Sequence, residues 1–441
     1  MPLAASSKRR ETMAARSEVG IVLLGLGVVG SAVARALTDK AASCGQRAGV
    51  PLTLRRILVR DVQRPRSLTF PETLLTDDPE EALATDCDIV VEVLGGEHPA
   101  TEYIERALAA GRRVVTANKE VMAKHGARLL AMAAERGGEI FYEASVGGGI
   151  PIIAPLKRDL SANEIASLRA IINGTTNYIL TVMSGGIDFA SALKDAQQLG
   201  YAEPEAANDV EGHDAAYKLA ILASLAFHTD VHPDQVYREG ITRLTPRDFR
   251  YAAELGYAIK LLAIARRDGN AIEARVNPAL VPEGELLAKV DGVLNAVQVE
   301  GDLAGRVLFQ GAGAGALPTS SAILADVLDA AGSIAQGGRP SPRRYTSDIP
   351  VKPMSELVSR YYIRVEVADR PGVLAGIGKA FGDNGVSIAS VIQKETDEEA
   401  QSAEIVIMTH AAREAAVQTS IRQVESLDVV RQVGNFLRVE D

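Results

Sequence analysis

Val-Gly-Ile-Val-Leu-Leu-Gly-Leu-Gly-Val-Val-Gly-Ser, residues 19–31, is the stretch that decides the fold of the N-terminal part of this chain. Its apolar first half, residues 19–24, predicts a short buried strand, and residues 31–37 predict a helix. The glycines between them have the GxGxxG spacing of a turn that binds a dinucleotide. Gly25 permits the tight turn, Gly27 lets a pyrophosphate approach the backbone, and Gly30 lets the helix pack on the strand. The helix N-terminus then favours the phosphate charge.

Strands and helices alternate through the first 145 residues, which predicts an α/β fold with a Rossmann-type nucleotide-binding domain. Further strands are predicted at residues 52–59, 88–94, 113–116 and 139–144, with a helix at residues 101–110. The cofactor-binding residues predicted from the glycine turn are Gly25, Leu26, Gly27, Val28, Val29 and Gly30.

The end of the second strand bears on the choice of cofactor. An acidic residue there favours NAD(H), whereas a nearby arginine suits the 2′-phosphate of NADP(H). Arg60 comes first, with Arg64 and Arg66 close behind it, so NADP(H) is favoured. Asp61 keeps NAD(H) open, and a solvated arginine loop is the alternative reading of these residues.

Two further segments carry candidate ligand groups. Residues 117–119, Ala-Asn-Lys, follow the C-terminal end of a strand, where open α/β sheets bind ligands. Lys119 is therefore placed to reach a cofactor or substrate, with a surface lysine as the alternative. Glu143 precedes three glycines at residues 147–149, whose backbone carbonyls and this carboxylate would suit a hard cation. From the residues alone, a hinge between domains is the commoner meaning.

The segment from Tyr201 to Lys218 is where we expect chemistry. It holds five carboxylates, at residues 203, 205, 209, 211 and 214. The apolar run at residues 219–227 predicts a buried helix, and Asp214 and Lys218 lie one turn apart at its polar start. An acidic cluster beside an apolar core suits binding of a polar substrate and proton transfer. An exposed ion pair on the helix surface is the alternative.

The rest of the chain predicts two more domains. Residues 165–172, 271–277 and 292–298 predict strands and residues 251–265 a helix, which together indicate an α+β domain with a mixed sheet. Thr175 or Thr176 is expected to cap a helix that starts near Tyr178. A segment rich in Gly, Pro, Ser and Arg, residues 332–353, predicts a linker. The order strand, helix, strand, strand, helix, strand after it predicts a ferredoxin-like βαββαβ domain.

Composition excludes several functional classes. The 441 residues carry a net charge of −10, which argues against a nucleic-acid-binding protein. The two cysteines form no CxxC pair, so a disulfide framework is excluded and a reducing, cytoplasmic setting fits best. No apolar run reaches the roughly 18 residues of a membrane helix. Residues 1–18 lack the apolar core of a secretory signal and predict a disordered tail, with a transit peptide as the alternative.

The motifs together resemble those of a homoserine dehydrogenase with a C-terminal ACT domain. The matching stretches, in the order of that family, are residues 25–30, 116–119, 143–150, 173–177, 199–204, 209–218 and 309–320. Residues 369–372 and 384–385 resemble the looser ACT pattern. The resemblance implies an NAD(P)-binding domain at 19–145 plus 311–345, a substrate-binding and dimerisation domain at 146–310, a linker at 346–358 and a regulatory domain at 359–441.

The resemblance also implies a reaction, the reversible reduction of L-aspartate 4-semialdehyde to L-homoserine by NAD(P)H in the biosynthesis of threonine, methionine and isoleucine. Lys218 would donate a proton to the developing alkoxide, with Lys119 near the reacting oxygen and the nicotinamide. Glu203 and Asp214 would hold the substrate amino group and orient Lys218, supported by Asp209. The other implied residues are Gly174, Thr175, Thr176 and Tyr201 at the substrate, Thr116 and Gly313 at the cofactor, and Glu143 with the carbonyls of Val146, Gly148 and Ile150 at a structural sodium ion.

The ACT resemblance implies feedback control, with threonine as the first expectation and Asp369, Gly372 and Asn384 facing the effector. A homodimer or homotetramer is expected. The alternatives are another amino-acid or semialdehyde dehydrogenase and a non-catalytic amino-acid sensor, although the presence of both lysines argues against lost activity. Neither cysteine lies in a site motif, which argues against a dehydrogenase that acylates a thiol. The histidines lack HExxH spacing, which disfavours zinc chemistry.

Overall fold

The computed structural model describes residues 17–66, 70–338, 345–397 and 401–440. They form two compact units. The first comprises the described residues within Met1–Val121, Ala127–Ala144 and Thr319–Arg344, and the second comprises those within Met122–Gly126, Ser145–Pro318 and Tyr345–Asp441. All but the last two residues of the predicted N-terminal tail lie outside the described residues.

The helices and strands follow one another as the sequence predicts in most places. The helices are α1 (Val28–Asp39), α2 (Ala41–Ala48), α3 (Pro79–Ala84), α4 (Ala100–Ala109), α5 (Lys119–Arg136), α6 (Ile153–Lys157), α7 (Gly174–Ser184), α8 (Phe189–Gln198), α9 (Ala207–Val210), α10 (His213–Phe227), α11 (Pro246–Glu254), α12 (Ala316–Ala335), α13 (Val373–Asp383) and α14 (Glu414–Glu425). The strands are β1 (Val19–Leu24), β2 (Leu52–Leu58), β3 (Leu75–Thr76), β4 (Ile89–Glu92), β5 (Arg113–Thr116), β6 (Glu139–Phe141), β7 (Ile165–Ile171), β8 (Tyr237–Arg238), β9 (Tyr257–Asp268), β10 (Ala271–Pro282), β11 (Leu294–Gly301), β12 (Gly305–Ala312), β13 (Val358–Ala368), β14 (Ile388–Asp397), β15 (Ser402–Thr409), β16 (Ala412–Arg413) and β17 (Val430–Val439).

The first unit is built on a six-stranded sheet in the order β3-β2-β1-β4-β5-β6, and every pair in it is parallel. This order places β1 and β4 at the point where the chain changes direction across the sheet, which is where such folds bind dinucleotides. All six residues of β1 are buried, which explains its unbroken apolar sequence. Ile323 and Val327 of α12 pack in the same core, so the chain returns to this unit at Thr319. The prediction of a Rossmann-type domain is confirmed.

The second unit contains an eleven-stranded mixed sheet with the main order β12-β11-β7-β9-β10-β17-β13-β15-β14. Its C-terminal part has the predicted order β13, α13, β14, β15, α14, β17, and the ferredoxin-like fold is confirmed. The two parts of the sheet join where Ala279 and Leu280 of β10 pair in parallel with Arg438 and Val439 of β17. The mixed sheet was predicted, but its continuity into the C-terminal domain was not.

One predicted helix is wrong. Residues 251–265 were expected to form a helix, but α11 ends at Glu254 and the strand β9 covers Tyr257–Asp268. β9 pairs over twelve positions with β10 and over four with β7, and its central residues are buried. A strand covered on both faces has a continuous apolar sequence that cannot be told from a buried helix by periodicity alone.

Buried charges reinforce the joint between the two parts of this sheet. Arg275 of β10 donates a 2.6 Å hydrogen bond to Glu440, and both side chains are almost fully buried. Arg438, which is completely buried, donates to Glu239 at 2.7 and 3.0 Å and to Glu414 at 3.0 and 2.7 Å. Burial alone would lower the pKa of Arg438, but these carboxylates raise it further than burial lowers it.

Cys44 and Cys87 are both buried and unpaired. Within the described ranges, no helix combines the length and the apolar character that crossing a membrane requires.

Candidate active site

Asp214 and Lys218 lie at the start of α10, whose remaining length is apolar and buried. The helix begins after Gly212, which has a φ of 80°. Lys218 Nζ donates to Asp214 Oδ2 at 2.6 Å and to the carbonyl oxygen of Ile172 at 2.9 Å. The side chains are 12% and 3% exposed, so this is a partly desolvated ion pair and not the surface pair that spacing alone left open. Its ammonium is held by one carboxylate and one carbonyl.

Asn173 connects this pair to a second carboxylate. Its Nδ2 donates to Asp209 Oδ1 at 2.6 Å and to Asp214 Oδ2 at 2.9 Å. Its Oδ1 accepts from the backbone N–H of Thr176 at 2.9 Å and so caps α7. The expectation that Thr175 or Thr176 caps this helix is wrong, because Asn173 precedes both and α7 already begins at Gly174. Asparagine is among the strongest N-cap residues, and this preference was the signal that could have identified it.

The remaining residues of the implied substrate group lie around this cluster. Thr175 Oγ1 donates to the carbonyl oxygen of Tyr201 at 2.5 Å, which connects α7 to the acidic segment. Thr176 is buried, and its Oγ1 donates to the Asn173 backbone. A Cβ at Gly174 would lie 2.8 Å from the carbonyl oxygen of Val293, so no larger residue fits there without a shift.

Glu203, the remaining carboxylate of the implied substrate group, is not hydrogen-bonded to this cluster within the described residues. Its side chain is exposed, and within the described part of the chain it makes no hydrogen bond or ion pair with Asp214 or Lys218. Its main-chain carbonyl accepts from Gln197 at 3.3 Å. Hydrogen bonds therefore link three of the residues assigned to the acidic segment, namely Asp209, Asp214 and Lys218, with Asn173 between the two aspartates.

The glycine-rich loop that precedes α12 packs against the loop assigned to a cation. Gly149 donates its N–H to the carbonyl oxygen of Ala312 at 3.0 Å. A Cβ at Gly148 would lie 2.5 Å from the carbonyl oxygen of Gly313, and one at Gly313 would lie 2.1 Å from the carboxamide of Asn295. Only glycine fits these two contacts. Asn295 is 1% exposed, and neither polar atom of its side chain has a hydrogen-bond partner among the residues that the structure describes.

In the first unit, the glycine turn has the geometry that dinucleotide binding requires. Gly25 has a φ of 105°, and a Cβ at Gly30 would lie 2.1 Å from the carbonyl oxygen of Gly25. Gly27 faces open space and caps α1, so a phosphate can approach its backbone. Val28 is 76% exposed at the first turn of the helix, whereas Leu26 and Val29 pack against the core.

A buried carboxylate lies beside Thr116 and Asn118 at the ends of β4 and β5. Glu92 is fully buried, and the Thr116 hydroxyl donates to its Oε2 at 2.5 Å. Burial raises the pKa of Glu92 in spite of that hydrogen bond and one from Leu94. Asn118 caps α5 and so fixes Lys119 as the first residue of that helix. Glu92 is absent from the residues predicted for the site, although a lone carboxylate within an apolar strand is itself a signal of function.

The other candidate residues lie in several places. Arg60 and Asp61 are exposed directly after β2. Glu143 is buried in the first unit, and its backbone N–H donates to Asp326 of α12 at 2.8 Å. Val146, Gly148 and Ile150 are buried in the second unit. Among the described residues there is no group of three or more His, Cys, Asp or Glu side chains that could hold a metal ion.

The candidate effector residues of the C-terminal domain lie at both ends of α13. Asp369 is exposed, and its N–H donates to the carbonyl oxygen of Gln401. Gly372, with a φ of 95°, precedes the first residue of α13. Asn384 follows the last, and its Nδ2 donates to Ala380 and to Gln423 at 2.8 Å each.

Comparison with known proteins gives matches along the whole of this architecture. Family profiles match over residues 25–143 (homoserine dehydrogenase, NAD binding domain), 151–328 (homoserine dehydrogenase) and 361–429 (ACT domain). The homoserine dehydrogenase of Mycobacterium tuberculosis is 46% identical over 432 residues, which is 96% of this chain and 98% of that one. The chain belongs to the homoserine dehydrogenase family. It is therefore an NAD(P)-dependent oxidoreductase that interconverts L-aspartate 4-semialdehyde and L-homoserine, and the ACT domain is consistent with binding of an amino-acid effector.

Solved homoserine dehydrogenases share the fold. The crystal structure of the enzyme from Thiobacillus denitrificans has a TM-score of 0.90 at 42% identity and covers 96% of this chain and 98% of its own. A hyperthermophilic archaeal homoserine dehydrogenase in complex with NADPH has a TM-score of 0.60 at 27% identity and covers 71% of this chain and 97% of its own. These matches confirm the predicted family and its nicotinamide cofactor.

Proposed function

We propose that Lys218 delivers the proton in the homoserine dehydrogenase reaction and that Asp214 aims it. The observation that carries this role is the pair of hydrogen bonds from Lys218 Nζ, 2.6 Å to Asp214 Oδ2 and 2.9 Å to the carbonyl oxygen of Ile172. Two fixed acceptors leave the ammonium one N–H to give to a substrate oxygen, because a lysine has three donors. A proton donor must lie within hydrogen-bond reach of the atom that receives the proton, and its N–H must point toward that atom.

The cofactor and the protein side chains supply different parts of this reaction. The nicotinamide supplies the hydride to the aldehyde carbon, so the protein needs no covalent nucleophile. The carbonyl oxygen of the substrate would gain negative charge during reduction, and a proton from Lys218 would neutralise it. Lys119 would stabilise the same oxygen from the nicotinamide side. The substrate also carries an ammonium group, for which Asp209, Asp214 and the exposed Glu203 are the available carboxylates, with Gly174, Thr175, Thr176 and Tyr201 forming the surrounding wall.

Substitution of the proposed donor tests this role. Lys218→Ala should lower kcat for homoserine oxidation by roughly 10²- to 10⁴-fold, the contribution of general acid–base catalysis. Binding of NADPH, followed by its fluorescence, should stay unchanged. Lys379→Ala is the matched control, because Lys379 and Asp383 form an ion pair with the same spacing whose side chains are 73% and 55% exposed. Turnover of Lys218→Ala close to that of the control would assign the proton donor elsewhere.

We infer a preference for NADP(H) from Arg60. This side chain is exposed directly after β2, whereas Arg66 donates to the carbonyl oxygens of Val62 and Arg64 in its own loop. Arg60 would therefore bind a 2′-phosphate. Arg60→Ala should raise the KM for NADPH and leave that for NADH unchanged, with Arg64→Ala as the control. Equal effects on both cofactors would contradict the assignment.

We also propose a structural sodium ion held by Glu143 and the carbonyls of Val146, Gly148 and Ile150. Oxygen ligands suit a hard cation, and a single carboxylate suits a monovalent one. Positive φ values at Gly147 (73°) and Gly148 (53°) give this loop an irregular backbone, which supports carbonyls turned away from regular hydrogen bonding. Replacing sodium by a large organic cation should lower both the melting temperature and activity. If neither the melting temperature nor the activity changes, the proposed sodium site is rejected.

Threonine is the effector that we propose for the ACT domain, bound near Asp369, Gly372 and Asn384. Asp369 is exposed, and Gly372 places no side chain at the N-cap of α13. Saturating threonine should inhibit the enzyme, and Asp369→Ala should keep basal activity while losing that inhibition. An unchanged rate at saturating threonine would reject threonine.

We propose a cytoplasmic homodimer or homotetramer. The strands β12 and β14 form the two ends of the large sheet, and an end strand offers unpaired backbone groups for pairing with another subunit. Two unpaired, buried cysteines fit a reducing compartment. Light scattering during gel filtration would give the mass of the assembly, and a monomer at micromolar concentration would reject this proposal.

A further inference from the structure

Asn173 stands between the two carboxylates of the active site and uses every hydrogen-bonding group of its side chain. Its Nδ2 donates to Asp209 at 2.6 Å and to Asp214 at 2.9 Å, while its Oδ1 accepts from the backbone N–H of Thr176 at 2.9 Å and from the Thr176 hydroxyl at 3.1 Å. The side chain is 6% exposed. The arrangement is therefore a built contact in the interior and not a mobile surface interaction.

The chemistry of the partners fixes which way this amide faces. An ionised carboxylate only accepts hydrogen bonds, and a backbone N–H only donates. The NH2 group must then face Asp209 and Asp214, and the oxygen must face Thr176, because the reversed amide would oppose oxygen to oxygen and N–H to N–H. The orientation of Asn173 is thus set by its neighbours, which is the usual way to assign such an amide.

The two N–H groups of one neutral amide hold two like charges at a fixed separation. Without these two N–H groups, Asp209 and Asp214 would each lose a hydrogen bond that fixes the carboxylate, and no donor of Asn173 would offset the repulsion between their like charges. Asp214 Oδ2 accepts from both Asn173 and Lys218, so the position of this oxygen determines the direction of the lysine. A change at Asn173 is therefore transmitted to Lys218 through one shared atom.

We propose that Asn173 is the positioning residue of the active site: its carboxamide sets the Asp209–Asp214 pair and, through Asp214, aims Lys218 at the substrate oxygen. The proposal rests on the assignment of Lys218 as the proton donor. Asn173 itself touches neither substrate nor cofactor in this role. It joins the N-cap of α7 to the start of α10 and so fixes the two helices that carry the site.

Two substitutions separate this role from simple capping of α7. Serine and aspartate both cap helices well, so Asn173→Ser and Asn173→Asp keep the cap. Serine loses the double donor, and aspartate replaces it with a third carboxylate. Both should lower kcat roughly tenfold to a hundredfold, the usual result of misplacing a reacting group by about 1 Å. Asn173→Asp should be the more damaging, because it adds repulsion to the lost donor.

The solvent isotope effect on kcat should change if Asn173 positions Lys218, whereas it should not change if Asn173 only stabilises the fold. If the lysine is misaimed, proton transfer becomes slower than the other steps, so the isotope effect on kcat for homoserine oxidation should rise in both variants. The KM for homoserine should also rise, because the carboxylate pair receives the substrate ammonium, while the Kd of NADPH stays unchanged. Asp188→Ser is the matched control, since Asp188 caps the neighbouring helix α8 through Ser191 and lies outside the site.

The outcomes distinguish this inference from the assignment on which it rests. A Lys218→Ala enzyme with nearly normal turnover would reject Lys218 itself. An inactive Lys218→Ala enzyme, together with Asn173→Ser kinetics and isotope effects equal to those of Asp188→Ser, would leave the donor in place and overturn the role of Asn173. Melting temperatures of the Asn173 variants within the range of the control would show that the losses do not come from unfolding.

Discussion

Replacement of Arg438 by alanine should destabilise the second unit severely. Its guanidinium is completely buried and makes four hydrogen bonds of 2.7 to 3.0 Å to Glu239 and Glu414. Removal of one member of a buried charged group costs about 3 to 5 kcal/mol, because the remaining charges lose their partner without regaining full hydration. At about 2 °C or more per kcal/mol, the melting temperature should fall by roughly 6 °C at least.

A calorimetric or fluorescence melting curve checks this value against Arg306→Ala. Arg306 forms an ion pair with Glu285 at 3.2 Å, but the side chains are 52% and 30% exposed, so its loss should cost about 1 kcal/mol or less. Arg438→Met combined with Gln at both glutamates should recover much of the loss, because a neutral group leaves no charge unpaired. A melting temperature for Arg438→Ala equal to that of Arg306→Ala would refute the reasoning.

Other predictions follow from single side chains. Gly30→Ala should weaken NADPH binding and cost about 1 to 3 kcal/mol of stability, because the new methyl group would meet the Gly25 carbonyl oxygen at 2.1 Å; unchanged NADPH fluorescence titrations would contradict this. Glu92→Gln should stabilise the protein at neutral pH, because burial raises the pKa of Glu92 above its ordinary value of 4.5. A carboxyl group whose pKa is higher in the folded than in the unfolded protein stabilises the fold most below its unfolded-state pKa, and this contribution is lost as the pH rises through its folded-state pKa. The melting temperature of Glu92→Gln should therefore exceed that of the unsubstituted enzyme by more at neutral pH than at pH 4. An equal difference in melting temperature at both pH values would contradict this prediction. Asn295→Leu, of similar shape, should raise the melting temperature by the equivalent of about 1 kcal/mol, since it removes two buried polar atoms without partners; a lower melting temperature would show that the amide has a stabilising partner.

The local signals in the sequence were sufficient for the first unit. β1 and β4 are fully buried parallel strands, so each appears as a separate apolar run, and the turn after β1 carries its own glycine spacing. The start of α10 was equally readable, because Asp214 and Lys218 precede an uninterrupted apolar segment. In each case the information lay within a dozen neighbouring residues.

The features that the sequence did not reveal depend on contacts between distant residues. β9 is a strand because β7 and β10 pair with it on both sides, and these partners outweigh the preference of its leucines and alanines for a helix. The cluster around Asn173 forms only when the fold brings Asp209, Asp214 and Lys218 together. Their spacing in the sequence does not indicate that the side-chain amide of Asn173 would donate to both aspartates. The exposed position of Glu203 is likewise a property of the folded acidic segment.

The parallel pairing of β10 with β17 also limits how the enzyme can be shortened. A chain ended before Val358 would uncover the backbone edge of β10 at Ala279 and Leu280, together with the apolar side chains that β17 now covers. An exposed apolar sheet edge is a template for aggregation. An unregulated form suited to biocatalysis is therefore better sought by point substitution at Asp369 than by deletion, because the C-terminal domain protects the sheet as well as carrying the candidate control site.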